Sequence, residues 1–278
     1  MKKITVLFIL ILFSCKSTTK NKIVDELEEV TVAEKVIVKV HNLEDTIAKD
    51  SLKIELVDLV LNELQIKKEQ CKLEFVVEKV IPQNPDESIM VIPEIFIEEE
   101  EEYYFELNSY ILIVDNKTGK IKHEFFESHK TNGWISDAIQ LTDITIDTAP
   151  YLIKKGKRAF GIKVRFLGSS KPNPYGSEML SLFIKDGKTL TRVLNNFEVN
   201  ADSGEWDTTC SGNFYNVKKI LIISDNGTNE YRDIIIKNQV TETEAFVDKK
   251  GKCDWDIKKS TVKTALKFTG DMYKETDL

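Results

Sequence analysis

The sequence predicts a mainly β protein, an antiparallel β-sandwich or a partial propeller-like body with one N-terminal helix. Two observations carry this. From residue 72 onward, short runs alternate apolar with polar residues and are parted by Gly, Asn, Asp and Pro, as half-buried strands require. Only residues 51–66 repeat apolar side chains at helical spacing.

In that stretch Leu52, Leu56, Val60 and Leu64 recur every four residues, and Val57 and Leu61 widen the face. Asp50 or Ser51 can cap its start. Lys53 to Val57 also alternates as a strand would. Leu73–Ile81 reads as a strand stopped by Pro82. Ile89–Ile97 reads as another, with Pro93 pointing to an edge or a bulge. Tyr104–Val114 and Ile121–Phe126 flank a turn at residues 115–120 and form a hairpin. Leu141–Asp147 alternates, and Arg158–Leu167 places Phe160, Ile162, Val164 and Phe166 on one face. Met179–Ile184 and Leu190–Leu194 flank Lys185–Lys188. Val217–Ser224 and Tyr231–Lys237 flank Asp225–Asn229. Val262–Phe268 precedes a turn at Gly270-Asp271. Lys185–Lys188 and Thr269–Tyr273 resemble blade hairpins of bacterial propeller repeats, yet no clean period of about 40–50 residues runs through the chain.

The chain has 278 residues, 41% hydrophobic and 31% charged, a balance that excludes a wholly disordered protein. Its net charge of −7 argues against a nucleic-acid binder. His41, His123 and His129 are the only histidines, too few for a His-rich metal centre. No GxSxG, Walker, Rossmann or HExxH motif occurs, and no cofactor is implied.

The N-terminus sets the compartment. Lys2 and Lys3 precede an apolar run from Ile4 to Phe13, as in a secretory signal peptide. The run is shorter than the roughly 17–25 residues that span a bilayer. It ends in Leu12-Phe13-Ser14-Cys15, which resembles the lipobox of bacterial lipoproteins: an aliphatic residue, a small residue, then Cys. The resemblance implies cleavage before Cys15 and acylation of its sulfur. Each buried methylene then holds the chain to the membrane by about 0.8 kcal/mol. Losing Lys2 and Lys3 makes the chain two charges more negative. Lys16 is not the Asp that retains lipoproteins at the inner membrane of Gram-negative cells, so it resembles the outer-membrane default. The expected organisation is a signal peptide over 1–14, a lipidated tether over 15–34, a small α-containing segment over 35–70 and an all-β body over 71–278. The tether is polar and aperiodic, as a spacer should be.

Beyond Cys15 the cysteines are Cys71, Cys210 and Cys253. An exported compartment permits one bridge and one leftover thiol. Cys210 and Cys253 lie near turn residues and are the favoured pair. Cys71 precedes an apolar strand and reads as a buried thiol.

Two polar stretches are the candidate ligand loops. Residues 168–176 carry Asn173 and Tyr175 and are stiffened by two prolines. Residues 202–215 carry Glu205, Trp206 and Asp207, an aromatic between two carboxylates, a composition suited to glycan or peptide binding. Glu205 and Asp207 are also the only carboxylates proposed for glycosidase acid/base work. Glu98–Glu102 and Asp225–Glu230 could offer oxygens to Ca²⁺, but a solvated acidic run and a hairpin turn explain them.

Ile146–Tyr151, Arg158–Ile162, Gly168-Ser169-Ser170, Asn173-Pro174-Tyr175 and Gly204–Asp207 with Cys210 together resemble a set of uncharacterised exported bacterial proteins, over roughly residues 70–275. The resemblance implies no activity and transfers no functional residue. The sequence therefore predicts a lipid-anchored cell-envelope protein, displayed at the outer membrane, that binds or scaffolds an envelope protein or glycan. A hydrolase of envelope glycans is the alternative.

Overall fold

The structure, a computed structural model, describes residues 55–99 and 103–278. The expected signal peptide, the tether, Cys15, the start of the expected helix and residues 100–102 lie outside the described residues. Helix α1 covers residues 55–64. Thirteen strands follow: β1 (Val77–Ile81), β2 (Asn84–Glu99), β3 (Tyr104–Asp115), β4 (Ile121–Glu127), β5 (Ile135–Ser136), β6 (Ile139–Lys154), β7 (Lys157–Gly168), β8 (Tyr175–Asp186), β9 (Thr189–Trp206), β10 (Gly212–Thr228), β11 (Tyr231–Val247), β12 (Cys253–Phe268) and β13 (Tyr273–Asp277). A single turn, α2 (His129–Asn132), sits between β4 and β5.

The fold class is the mainly β one expected, in its sandwich form. Strands β1 to β4 are an antiparallel meander, with β5 on the end of β3. Strands β6 to β13 are a second antiparallel meander. One parallel bridge, Glu124 to Thr189, joins β4 to β9 and makes the whole one mixed sheet.

The pleat sorts side chains into three apolar layers, because neighbours along a strand point to opposite faces. In β2, Met90 and Ile92 face helix α1 and meet Val60 and Leu61, while Ile89 and Val91 face the other way. In β3, Leu112 and Val114 face the helix, and Leu107, Ile111 and Ile113 face away. That second set packs on Ile144, Phe160, Ile162, Val164 and Phe183 of β6 to β8. Strand β8 alternates again: Phe183 enters this layer, and Leu180, Leu182 and Ile184 enter a third with Ile234, Ile236, Leu266 and Phe268. Strands buried on both sides read as near-continuous apolar runs, as Met179–Ile184 does.

Arg192 of β9 forms a bidentate pair with Glu127 of β4 and lies 5.2 Å from the Phe125 ring centroid, reinforcing the junction of the two meanders. Pro93 stands beyond the β1–β2 ladder, which ends at Val91, and a bulge follows between Ile95 and Ile97. The residues before β1 turn as a 3₁₀ helix, Leu73–Phe75, where the alternation had suggested strand. The β10–β11 tip also differs from expectation. Gly227 pairs with Arg232 and Thr228 with Tyr231, so the two-residue tip is Asn229-Glu230. Both have positive φ, 52° and 67°, as a type I′ turn requires.

Candidate functional site

Strands β9 to β12 run on past the apolar layers. Residues 253–263 of β12 are all exposed. Pairing continues there without a bulge: Glu205 opposite Asn213, Asn213 opposite Glu244, and Glu244 opposite Asp256. One step along, Ser203, Tyr215, Glu242 and Lys258 form the next matching row. Residues opposite one another share a face. These rows line one open groove of about 540 Å³, which Asn173 also borders. Four carboxylates, Glu205, Glu242, Glu244 and Asp256, face a single ammonium, Lys258.

The opposite face of this extension is aromatic. Trp206 lies across from Gly212, in a row with Ala245 and Trp255. Phe214 lies across from Gly204. A Cβ on Gly204 would stand 2.7 Å from the Phe214 ring, and one on Gly212 would stand 3.1 Å from the Trp206 ring. The two glycines leave room for aromatic rings to lie flat across the strand pair. Trp206 and Phe214 sit 6.4 Å apart between ring centroids.

The residues singled out in the sequence therefore divide. Asn173 and Glu205 line the groove. Tyr175 begins β8, pairs with Ser203 and is partly exposed. Trp206 lies on the aromatic face. Asp207 lies in the β9–β10 turn, where one carboxylate oxygen accepts the amides of Thr209, Cys210 and Ser211 at 2.8, 2.8 and 2.9 Å. The amides of Thr209 and Cys210 are the main cause that draws this carboxyl down to about 2. Residues 202–215 are thus a hairpin with a five-residue turn rather than one long loop. The two expected loops do meet: the Trp206 amide donates to the Pro172 carbonyl at 2.7 Å.

Cys210 and Cys253 are brought together in a disulfide, Cα to Cα 5.4 Å, which staples the β9–β10 turn to the start of β12. Asp248 closes the neighbouring β11–β12 turn by accepting the amides of Lys250 and Lys252, both at 2.8 Å. Cys71 is a free, buried thiol. Burial, with Glu94 nearby, pushes it up to about 11, so it carries little thiolate at neutral pH.

Among the described residues, no group of three or more His, Cys, Asp or Glu could hold a metal ion. Ser128 Oγ lies 3.3 Å from His129 Nδ1, but that oxygen caps α2 by accepting the Lys130 amide, and Nδ1 also faces Asn108.

Sequence reasoning missed Asn213, Tyr215, Glu242, Glu244, Asp256 and Lys258. Each is a polar residue in a polar segment, and only the strand register assembles them. Comparison with protein-family models, with characterised proteins and with solved structures returns no match.

Proposed function

We propose that this chain is a lipid-anchored cell-envelope protein, held at the outer membrane through Cys15, that works as a non-catalytic binding module. Its acidic groove takes a cationic segment of an envelope partner. The observation that carries this is the gathering of Glu205 of β9, Glu242 and Glu244 of β11 and Asp256 of β12 onto one exposed face against Lys258 alone. Carboxylates held side by side in a firm ladder repel one another, and a cationic partner relieves that repulsion while its encounter is steered by the same field. The disulfide and the turn carboxylates hold the ladder firm. The hydrolase alternative has less support. It needs Glu205 and Asp207 as a working pair, and the Asp207 oxygen is already taken up by three amides.

The test is titration of the full chain with a labelled oligolysine peptide, with oligoglutamate and a neutral glycan fragment as controls. Saturable oligolysine binding that weakens with salt and with Glu242→Gln/Glu244→Gln supports the reading. Equal binding of oligoglutamate, tighter binding of the glycan, or indifference to the two substitutions refutes it.

A further inference from the structure

A second cavity lies at the other end of β8. Tyr175 of β8 stands beside the groove, through its pairing with Ser203, and Lys185 stands at the second cavity. Ten strand residues separate them, roughly 33 Å. The cavity measures about 360 Å³ and opens between the β1–β2 turn and the β6–β7 turn. This is within the range of about 300–1,000 Å³ typical of small-molecule sites.

Its walls are apolar. Ile81, Ile89, Ile113 and Phe160 line it, and Ile89 and Ile113 belong to the layer between the two meanders. The space has a structural origin. Asp147 pairs with Gly161, but the next pair is Tyr151 with Ala159, so Thr148, Ala149 and Pro150 bulge out of β6 opposite Phe160. The Asp147 carboxylate fixes the bulge by accepting the Ala149 amide at 2.8 Å and the Tyr151 hydroxyl at 2.9 Å. A bulge so placed takes β6 out of the ladder beside Phe160.

The rim is cationic. Lys157, Arg158 and Lys185 line the cavity, and no Asp or Glu does. Lys185 pairs with Glu87 at 2.6 Å, and Lys157 reaches Asp186 at 3.5 Å in an exposed contact worth little. Arg158 has no carboxylate partner among the described residues. Its Nη2 donates to the Thr148 carbonyl at 2.5 Å, across the bulge. A guanidinium has five N–H donors, so most of them remain for a ligand.

We propose that this cavity binds a single-chain anionic amphiphile, a long-chain carboxylate. The alkyl chain lies against Ile81, Ile89, Ile113 and Phe160, and the carboxylate pairs with Arg158. Apolar walls alone accept any alkyl chain. The rim of cations, with no carboxylate in the lining, selects the anionic head over a neutral or cationic one.

The test is calorimetric titration of the chain exported with a non-lipoprotein signal peptide in place of residues 1–15, so that neither an acyl group nor the Ile4–Phe13 segment competes. The probes are dodecanoate, dodecanol and dodecylamine. Saturable one-to-one binding of dodecanoate is expected, with dodecanol and dodecylamine weaker by about tenfold or more, the order of one charge-assisted hydrogen bond. Arg158→Gln is expected to weaken dodecanoate by a similar factor and leave dodecanol unchanged. Ile81→Trp, which fills the cavity from its rim, is expected to abolish both. The ligand series on the unsubstituted cavity needs no variant to fold. Absence of saturable binding, equal affinity for the three head groups, or dodecanoate binding that survives Ile81→Trp would overturn the proposal. Binding to anionic vesicles without binding to monomeric dodecanoate would overturn it too, in favour of a membrane-facing surface.

Discussion

The amide of Trp206 donates to the carbonyl of Pro172 at 2.7 Å, tying the β7–β8 loop to the end of β9. The two segments whose composition suggested ligand binding therefore form one structural unit. Pro174 strengthens the tie, because its ring approaches Gly204. Substitutions in one loop will be felt in the other, and their effects will not simply add.

The Asp207 turn gives a pH prediction with a definite sign. Three amides bind its carboxylate, and its folded pKa of about 2 lies below the ordinary 3.8. A depressed carboxyl contributes stability that is present above its unfolded pKa and is lost as pH falls through its folded one. Asn keeps a neutral acceptor at the same place, so Asp207→Asn removes only the charge. The variant is expected to melt below the parent at pH 5 and to match it near pH 2. Thermal melts across that range check it. A gap that stays constant with pH would mean that the charge on Asp207 contributes nothing.

The Cys210–Cys253 bridge closes a loop with a sequence separation of 43. In the chain-entropy account such a loop is worth up to about 4 kcal/mol. The bridge spans the exposed extension, not the apolar layers, so its loss is felt first as local opening. Cys210→Ser/Cys253→Ser is expected to speed amide exchange in residues 206–216 and 243–257 while Ile89 and Leu182 stay protected. Exchange that accelerates equally in both regions would contradict this.

Much of the fold is legible in the sequence wherever one face of a strand meets an apolar layer. Phe160, Ile162 and Val164 alternate and are buried as a set. Leu56, Val60 and Leu61 keep helical spacing and pack on β2 and β3. The extension is illegible for the opposite reason. Residues 241–247 and 253–261 lie outside the apolar layers; the first stretch has no clean apolar alternation, and in the second Cys253, Trp255 and Ile257 alternate with Asp254, Asp256 and Lys258 over too short a run to mark its length, so backbone pairing makes these segments strand. The groove is hidden for the same cause. Glu205 gives no sign that Asn213, Glu244 and Asp256 stand in its row, because register is a property of the ladder and not of any one segment. The turn at Asn229-Glu230 is hidden because Asn226-Gly227 has stronger turn chemistry, which a bulge between Ile223 and Gly227 absorbs instead.

Arg192 and Glu127 couple the two meanders through two parallel hydrogen bonds in a mostly buried setting, with side-chain exposures of 17% and 11%. Removing one partner strands the other charge. Arg192→Ala is expected to cost about 3–5 kcal/mol by denaturant unfolding. Arg192→Met/Glu127→Leu replaces both charges by apolar groups of similar volume and should recover most of that loss. A double variant as unstable as Arg192→Ala would show that the pair specifies the junction in a way apolar packing cannot replace.

The lipid anchor is the last prediction. Among the described residues no helix is long and apolar enough to cross a membrane. The proposed function makes acyl chains on Cys15 the membrane anchor, each methylene adding about 0.8 kcal/mol. Cys15→Ala alone is an ambiguous test, because an uncleaved Ile4–Phe13 segment could hold the precursor in place. Replacing residues 1–15 by a signal peptide of the non-lipoprotein type removes that ambiguity. The exported chain is then expected in the soluble fraction, with the Cys210–Cys253 bridge still formed. If it stays with the membrane under high salt, Cys15 is not the anchor. Release by high salt alone would instead assign its retention to charge.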